Sequence, residues 1–103
     1  MTTPYLTLGD TLQITGVYRD ANGTPVNLTT AGITVEAWLR EPVKSEKLEM
    51  TVSLADQGAI PGGFTAQYQT TEAMTKGTYA LTVSYVTAGI RQSTRPAKIE
   101  FGL

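Results

Sequence analysis

The sequence predicts an all-β protein of two antiparallel sheets packed face to face. Three observations predict it: Thr, Val, Ile and Tyr recur at alternating positions, turn residues punctuate these runs at short intervals, and helical periodicity is nearly absent. At 103 residues the chain fits one domain, residues 1–103, long enough for a single core without staples. Hydrophobic residues make up 41% and charged residues 17%, apolar enough to fold and too little charged for a disordered tail.

The opening run MTTPYLTL, residues 1–8, reads either as a first strand or as an extended N-terminal arm that pairs with an open sheet edge of a neighbour. Tyr5 and Leu6 are its candidate contact residues. In TLQITGVYR, Leu12, Ile14, Gly16 and Tyr18 share one side. Asn22-Gly23 then reverses the chain, because both residues tolerate the positive φ of a tight hairpin turn. Pro25 favours an edge or a strand entry, and Leu28 returns to the core. ITVEAWLRE has the clearest period of two, with Ile33, Val35, Ala37 and Leu39 against Thr34, Glu36, Trp38 and Arg40.

EPVKSEK reads as a solvated loop, and LEMTVSL as one strand with Leu48, Met50, Val52 and Leu54 on a common face. ADQGAIPGG carries Gly and Pro at loop density, after which FTAQY turns Phe64, Ala66 and Tyr68 inward. TTEAMTKG allows at most one short helical turn near residues 71–75, with Thr71 as cap and Met74 as plug. TYALTVSYV places Tyr79, Leu81, Val83 and Tyr85 on one face. TAGI is a turn, and Pro96 marks an edge or a bulge in the final run IRQSTRPAKIEF. Strands and turns at these intervals make an immunoglobulin-like antiparallel β-sandwich of about seven strands.

The chemistry open to such a chain is narrow. There is no cysteine and no histidine, which removes disulfides, thiolate nucleophiles, the usual general base and the commonest transition-metal ligands. Asp20 and Asn22 before Gly23 lack the further oxygens of a calcium loop, and turn formation explains them. Asn22-Gly23-Thr24 and Asn27-Leu28-Thr29 match the glycosylation sequon as chance matches in a Thr-rich sequence. Asp10, Asp20, Glu36, Glu72 and Glu100 offer many carboxylate pairs without a motif that selects one. The glycines of IPGGF are not followed by Lys and a helix, as a phosphate cradle requires. No catalytic residue, metal site, cofactor or small-molecule substrate is expected.

A net charge of -1 with both signs scattered gives no footprint for nucleic acid or anionic membrane. No run reaches transmembrane length, and MTTPYLTLGD lacks the basic start and apolar stretch of a signal peptide.

Trp38 is the most informative side chain. Parity with Ile33, Val35, Ala37 and Leu39 puts it on the outer face beside Glu36 and Arg40, where a large aromatic is an interface anchor. A bulge in the strand would instead turn it into the core, as in many sandwiches, and both readings stand at this point.

The order of motifs carries a resemblance. GDTLQITGVYRDANGTPVNLTTAGITVEAWLR combines a Gly9-Asp10 start, an Asn22-Gly23 turn followed by Pro25 and Leu28, and an alternating strand closed by Arg40; MTKGTYALTV adds Met74 before Gly77, Thr78 and Tyr79, and PAKIEF closes the chain. In this order the chain resembles small immunoglobulin-like β-sandwich proteins of tailed bacteriophages, similar to the N-terminal domain of phage baseplate upper proteins. Asn27 stands where those proteins frequently have an acidic residue, and Ala31-Gly32 replaces a common Gly-aromatic pair.

The resemblance implies a non-catalytic virion protein, made in the bacterial host cytoplasm, that assembles by protein–protein contacts at the tail tip, baseplate, neck or tail-fibre attachment. Its partners would be other virion proteins and further copies of itself, as a homo-oligomer or in symmetric positions. The alternatives are a capsid decoration (cement) protein, a carbohydrate-binding adhesin-type module that uses Trp38 as a sugar platform, and a carboxylate-based hydrolase.

Overall fold

The computed structural model of the chain describes residues 5–94 and 96–102. In chain order its elements are β1 (Tyr5–Leu6), β2 (Thr11–Val17), α1 (Leu28–Ala31), β3 (Thr34–Arg40), β4 (Lys47–Glu49), β5 (Thr51–Leu54), β6 (Gly63–Gln69), β7 (Gly77–Thr87), β8 (Ile90–Ser93) and β9 (Ala97–Phe101). The larger sheet runs β1-β9-β7-β3-β4 with β8 also beside β7, and the smaller runs β2-β6-β5. Pairing is antiparallel throughout, except that β1 lies parallel to β9. This is the strand order of an immunoglobulin sandwich, β4-β3-β7-β9 standing for C′-C-F-G and β2-β6-β5 for B-E-D.

Eight strands of three or more residues, with the two-residue β1, replace the expected seven among the described residues. Two runs that read as continuous are divided. LEMTVSL leaves the larger sheet after Glu49 and joins the smaller one at Thr51, with Met50 as the corner, its N–H donating to the Ala37 carbonyl at 2.9 Å. The common face expected for this run therefore ends early: Met50 is buried, but Leu54 is 46% exposed. The last run breaks at Thr94, whose N–H and side chain take the Val83 carbonyl and N–H, and Pro96 sits in the break. TPVNL forms no strand and contributes one bridge, Arg19 to Pro25.

The inward residues of both sheets meet in one core that includes Leu12, Val35, Leu39, Phe64, Tyr79, Leu81 and Phe101. Each large apolar side chain taken fully out of water contributes about 1.5–3 kcal/mol. Tyr79 stacks on Phe101 with centroids 4.4 Å apart, and Tyr18 lies 4.5 Å from Tyr85.

The helical turn expected near residues 71–75 is elsewhere. Thr71–Met74 is a single hydrogen-bonded turn, Met74 N–H to Thr71 carbonyl, which leads directly towards β7. The helix is α1, because Asn27 Oδ1 caps the Thr30 N–H at 2.9 Å, Gly32 takes the left-handed φ of 68° that stops it, and Leu28 is wholly buried. At the DANG turn only Gly23 has positive φ; Asp20 closes the loop instead, its Oδ1 accepting from the N–H groups of Asn22 and Thr24.

Two polar side chains hold the loops at the sandwich ends. Glu41, in the run read as solvated, is buried and accepts the N–H groups of Val43 (2.7 Å) and Lys44 (2.6 Å). Gln57 is buried too. Its Oε1 accepts from Leu28 N–H (2.8 Å) and Gly62 N–H (2.9 Å), and its Nε2 donates to the carbonyls of Ala55 (3.0 Å) and Gly63 (2.9 Å).

Tyr79, near the start of β7, donates its hydroxyl to the Thr75 carbonyl at 2.7 Å, the tyrosine corner of immunoglobulin-like sandwiches. Burial, then the Glu41 carboxylate and the Tyr68 phenol, raise its pKa above the ordinary 10.0. The folded state thus keeps this proton to higher pH than the unfolded chain. Its stabilisation is complete below about pH 10 and is lost as pH rises through the folded value. Tyr79→Phe is expected to cost about 0.5–1.5 kcal/mol at neutral pH. It should also flatten the alkaline fall in stability, as checked by thermal melts at pH 7 and above pH 10.

A candidate interaction face on the larger sheet

Alternation along β3 sends Val35, Ala37 and Leu39 into the core and Glu36, Trp38 and Arg40 to the outer face. No bulge interrupts the pairing of β3 with β7, so Trp38 lies on the outside, half-buried, opposite Thr82 of β7 and Glu49 of β4. Two cations lie near its ring. Lys47 Nζ sits 4.3 Å from the ring centroid and Arg91 Cζ 6.0 Å from it. Each such contact contributes about 0.5–1 kcal/mol at an exposed site.

The cations are themselves tethered. Arg91 donates to the Glu36 carboxylate, and Lys47 Nζ is 3.8 Å from Glu49 Oε1. Exposed pairs of this kind add about 0–1 kcal/mol each, so their effect is to fix the rim around the ring more than to stabilise the fold. Because β4 ends after Glu49, and Met50 N–H adds one last bond at Ala37, no strand among the described residues pairs with the edge of β3 beyond that point. A cavity of about 220 Å³ opens there, lined by Val35, Ala37, Trp38, Lys47, Met50 and Val52 among others. The result is an aromatic plane with both signs of charge at its rim.

The other expected contact residues are placed differently. Arg40 is exposed on the same face, two positions from Trp38, and donates to the Ser45 carbonyl at 2.9 Å, which commits it to the β3–β4 loop. Tyr5 and Leu6 form β1 at the opposite border of the sheet, with β9 and β7 between them and β3. Leu6 packs against the core, and the Tyr5 side chain lies outside the described residues. So Trp38 and Arg40 come together, whereas the N-terminal pair does not join them. Of the expected arm, residues 1–8, Leu8 also packs against the core, and residues 1–4 lie outside the described residues.

Lys47, Glu49 and Arg91 belong to the face, and no sequence motif singles them out. Parity within KLE and IRQS shows which residues share a side, but only the register of β4 and β8 shows that they reach Trp38. A second hollow, about 180 Å³, lies at the end of the sandwich between Tyr18, Ile33, Tyr85 and Ile90. Burial and the neighbouring Tyr18 raise the Tyr85 phenol above its ordinary 10.0. Among the described residues no three His, Cys, Asp or Glu side chains form a metal-holding group, and no helix is long and apolar enough to cross a membrane.

No protein-family model matches the chain, and no curated protein matches it significantly in sequence.

Proposed function

We propose that the chain is a non-catalytic structural protein of a phage virion, assembled through protein–protein contacts at the tail tip, baseplate, neck or tail-fibre attachment. The observation that carries this reading is Trp38, set outward on the larger sheet and rimmed by Lys47, Glu36 and Arg91. Interface anchors have this form: an aromatic whose burial supplies area, inside a polar rim that fixes orientation. The order of motifs from Gly9-Asp10 to PAKIEF supports the virion assignment.

A carbohydrate-binding module that uses Trp38 as a sugar platform is the second reading, and glycan binding lost in Trp38→Ala would favour it. Mass spectrometry of purified particles of the phage that encodes the chain should find it as a stoichiometric component; particles without it would overturn the assignment. Trp38→Ala should keep the isolated domain folded, at a cost of about 1–2 kcal/mol for the two cation contacts, and lower its incorporation into particles by about thirtyfold, the effect of losing an anchor of about 2 kcal/mol. A variant that incorporates normally would remove Trp38 from the interface.

A further inference from the structure

The smaller sheet has a border of a different kind. Tyr18 N–H donates to Gly62 O, and Thr70 N–H to Asp10 O, so the even-numbered residues of this run bond towards β6. The odd ones, Thr11, Gln13, Thr15 and Val17, therefore turn their N–H and C=O groups to the opposite border. Among the described residues no strand pairs there. The seven residues TLQITGV contain no charge and no proline, the usual devices that blunt an exposed edge.

The outer face beside this edge is also uncharged. It presents Thr11, Gln13 and Thr15 from β2, Thr65, Gln67 and Gln69 from β6, and Thr51 and Ser53 from β5. The other sheet, by contrast, shows Glu36, Lys47, Glu49 and Arg91. Side-chain bonds such as Gln67 Nε2 to Gln13 Oε1 at 2.8 Å already knit the uncharged ladder together.

We propose that the outer edge of β2 is a self-association site, which pairs antiparallel with β2 of a second copy across a two-fold axis at Ile14. An antiparallel pair is its own complement under a two-fold rotation, so one segment serves as both halves of the joint. Its neutrality is what allows self-pairing, since like meets like at such an axis and a charged edge would repel itself. Thr11 then faces Val17 and Gln13 faces Thr15, about eight backbone hydrogen bonds form, and the two small sheets become one of six strands. Val17 (39% exposed) and Ile60 (52%) add apolar area near the ends of the joint. This site is separate from the Trp38 face and stands whether or not the chain is a virion protein.

Sedimentation equilibrium up to about 1 mM protein tests it, since weak edge pairing falls in the micromolar to millimolar range. The wild-type chain should dimerise, and hydrogen exchange at the Gln13 and Thr15 amides should slow as concentration rises. Gln13→Lys should weaken the dimer at least about tenfold while melting like wild type in dilute solution where both are monomeric, Gln13→Lys with Thr15→Glu should restore the dimer, and Trp38→Ala should leave it intact. A chain that stays monomeric at 1 mM overturns the proposal, as does a dimer that Gln13→Lys leaves unaltered or that Trp38→Ala dissolves. Failure of the charge-swapped double variant to recover overturns the placement of the axis at Ile14.

Discussion

Gln57→Leu is expected to destabilise the fold by about 2–4 kcal/mol and to lower the thermal midpoint by about 10–25 °C, although Leu fills the same space and is more apolar. The side chain is buried and uses both ends of its amide, so its loss leaves the N–H groups of Leu28 and Gly62 without partners. Gly63 O keeps its bond from Ala55 N–H, but Ala55 O loses the Gln57 donor. Each buried N–H left unpaired costs about 1–3 kcal/mol, more than the apolar gain returns.

Gln57→Glu gives the sharper test. One carboxylate oxygen would face two carbonyl oxygens where Nε2 now donates, which favours the protonated acid in the folded state and raises its folded pKa above the unfolded value of about 4.3. The stabilisation supplied by the protonated acid is complete below that unfolded value and is lost as pH rises through the folded one. The variant should therefore melt close to wild type near pH 3.5 and well below it at pH 7. Equal deficits at both pH values would show that hydrogen bonding at Gln57 does not hold these loops.

Gly62→Ala is the second large effect, about 3–5 kcal/mol measured by denaturant titration. Gly62 has a φ of +79°, and an added Cβ would lie 2.4 Å from the Tyr18 carbonyl oxygen and 3.0 Å from its nitrogen. Those are backbone atoms at the end of β2, where Tyr18 N–H bonds to Gly62 O at 2.9 Å, so nothing can move aside without opening the joint. Gly23→Ala is the control. Its φ is nearly the same, +81°, but nothing lies within 4 Å of an added Cβ. It should cost only the left-handed conformation, about 1–2 kcal/mol. The gap between the two variants isolates the steric contribution; similar losses at both positions would mean that φ alone decides.

How much of this architecture is legible in the amino-acid sequence depends on how locally each feature is encoded. The inward and outward sets of β3 and β7 are legible because a period of two is a property of neighbours in the chain, and the same parity places Trp38 outside once an unbroken register removes the bulge. The corner at Met50 is hidden, because apolar residues continue to alternate through LEMTVSL while the backbone changes sheets. Gln57 and Glu41 are hidden for the opposite reason: a polar residue among Gly, Pro and Lys looks solvated, and only the fold shows that it faces inward towards unpaired backbone groups. The cations around Trp38 come from β4 and β8, whose register no short motif specifies.

The corner at Met50 also bears on how the molecule comes apart. Layers joined only by long loops can swing open on one side and loosen as independent units, whereas here a single residue of chain separates pairing in one layer from pairing in the other. Prising the layers apart along that seam pulls the Met50 side chain out of the interior and strains both ladders at once. Opening is thereby coupled to collapse of the whole, and half-open intermediates, with their sticky interiors, are closed off along this seam.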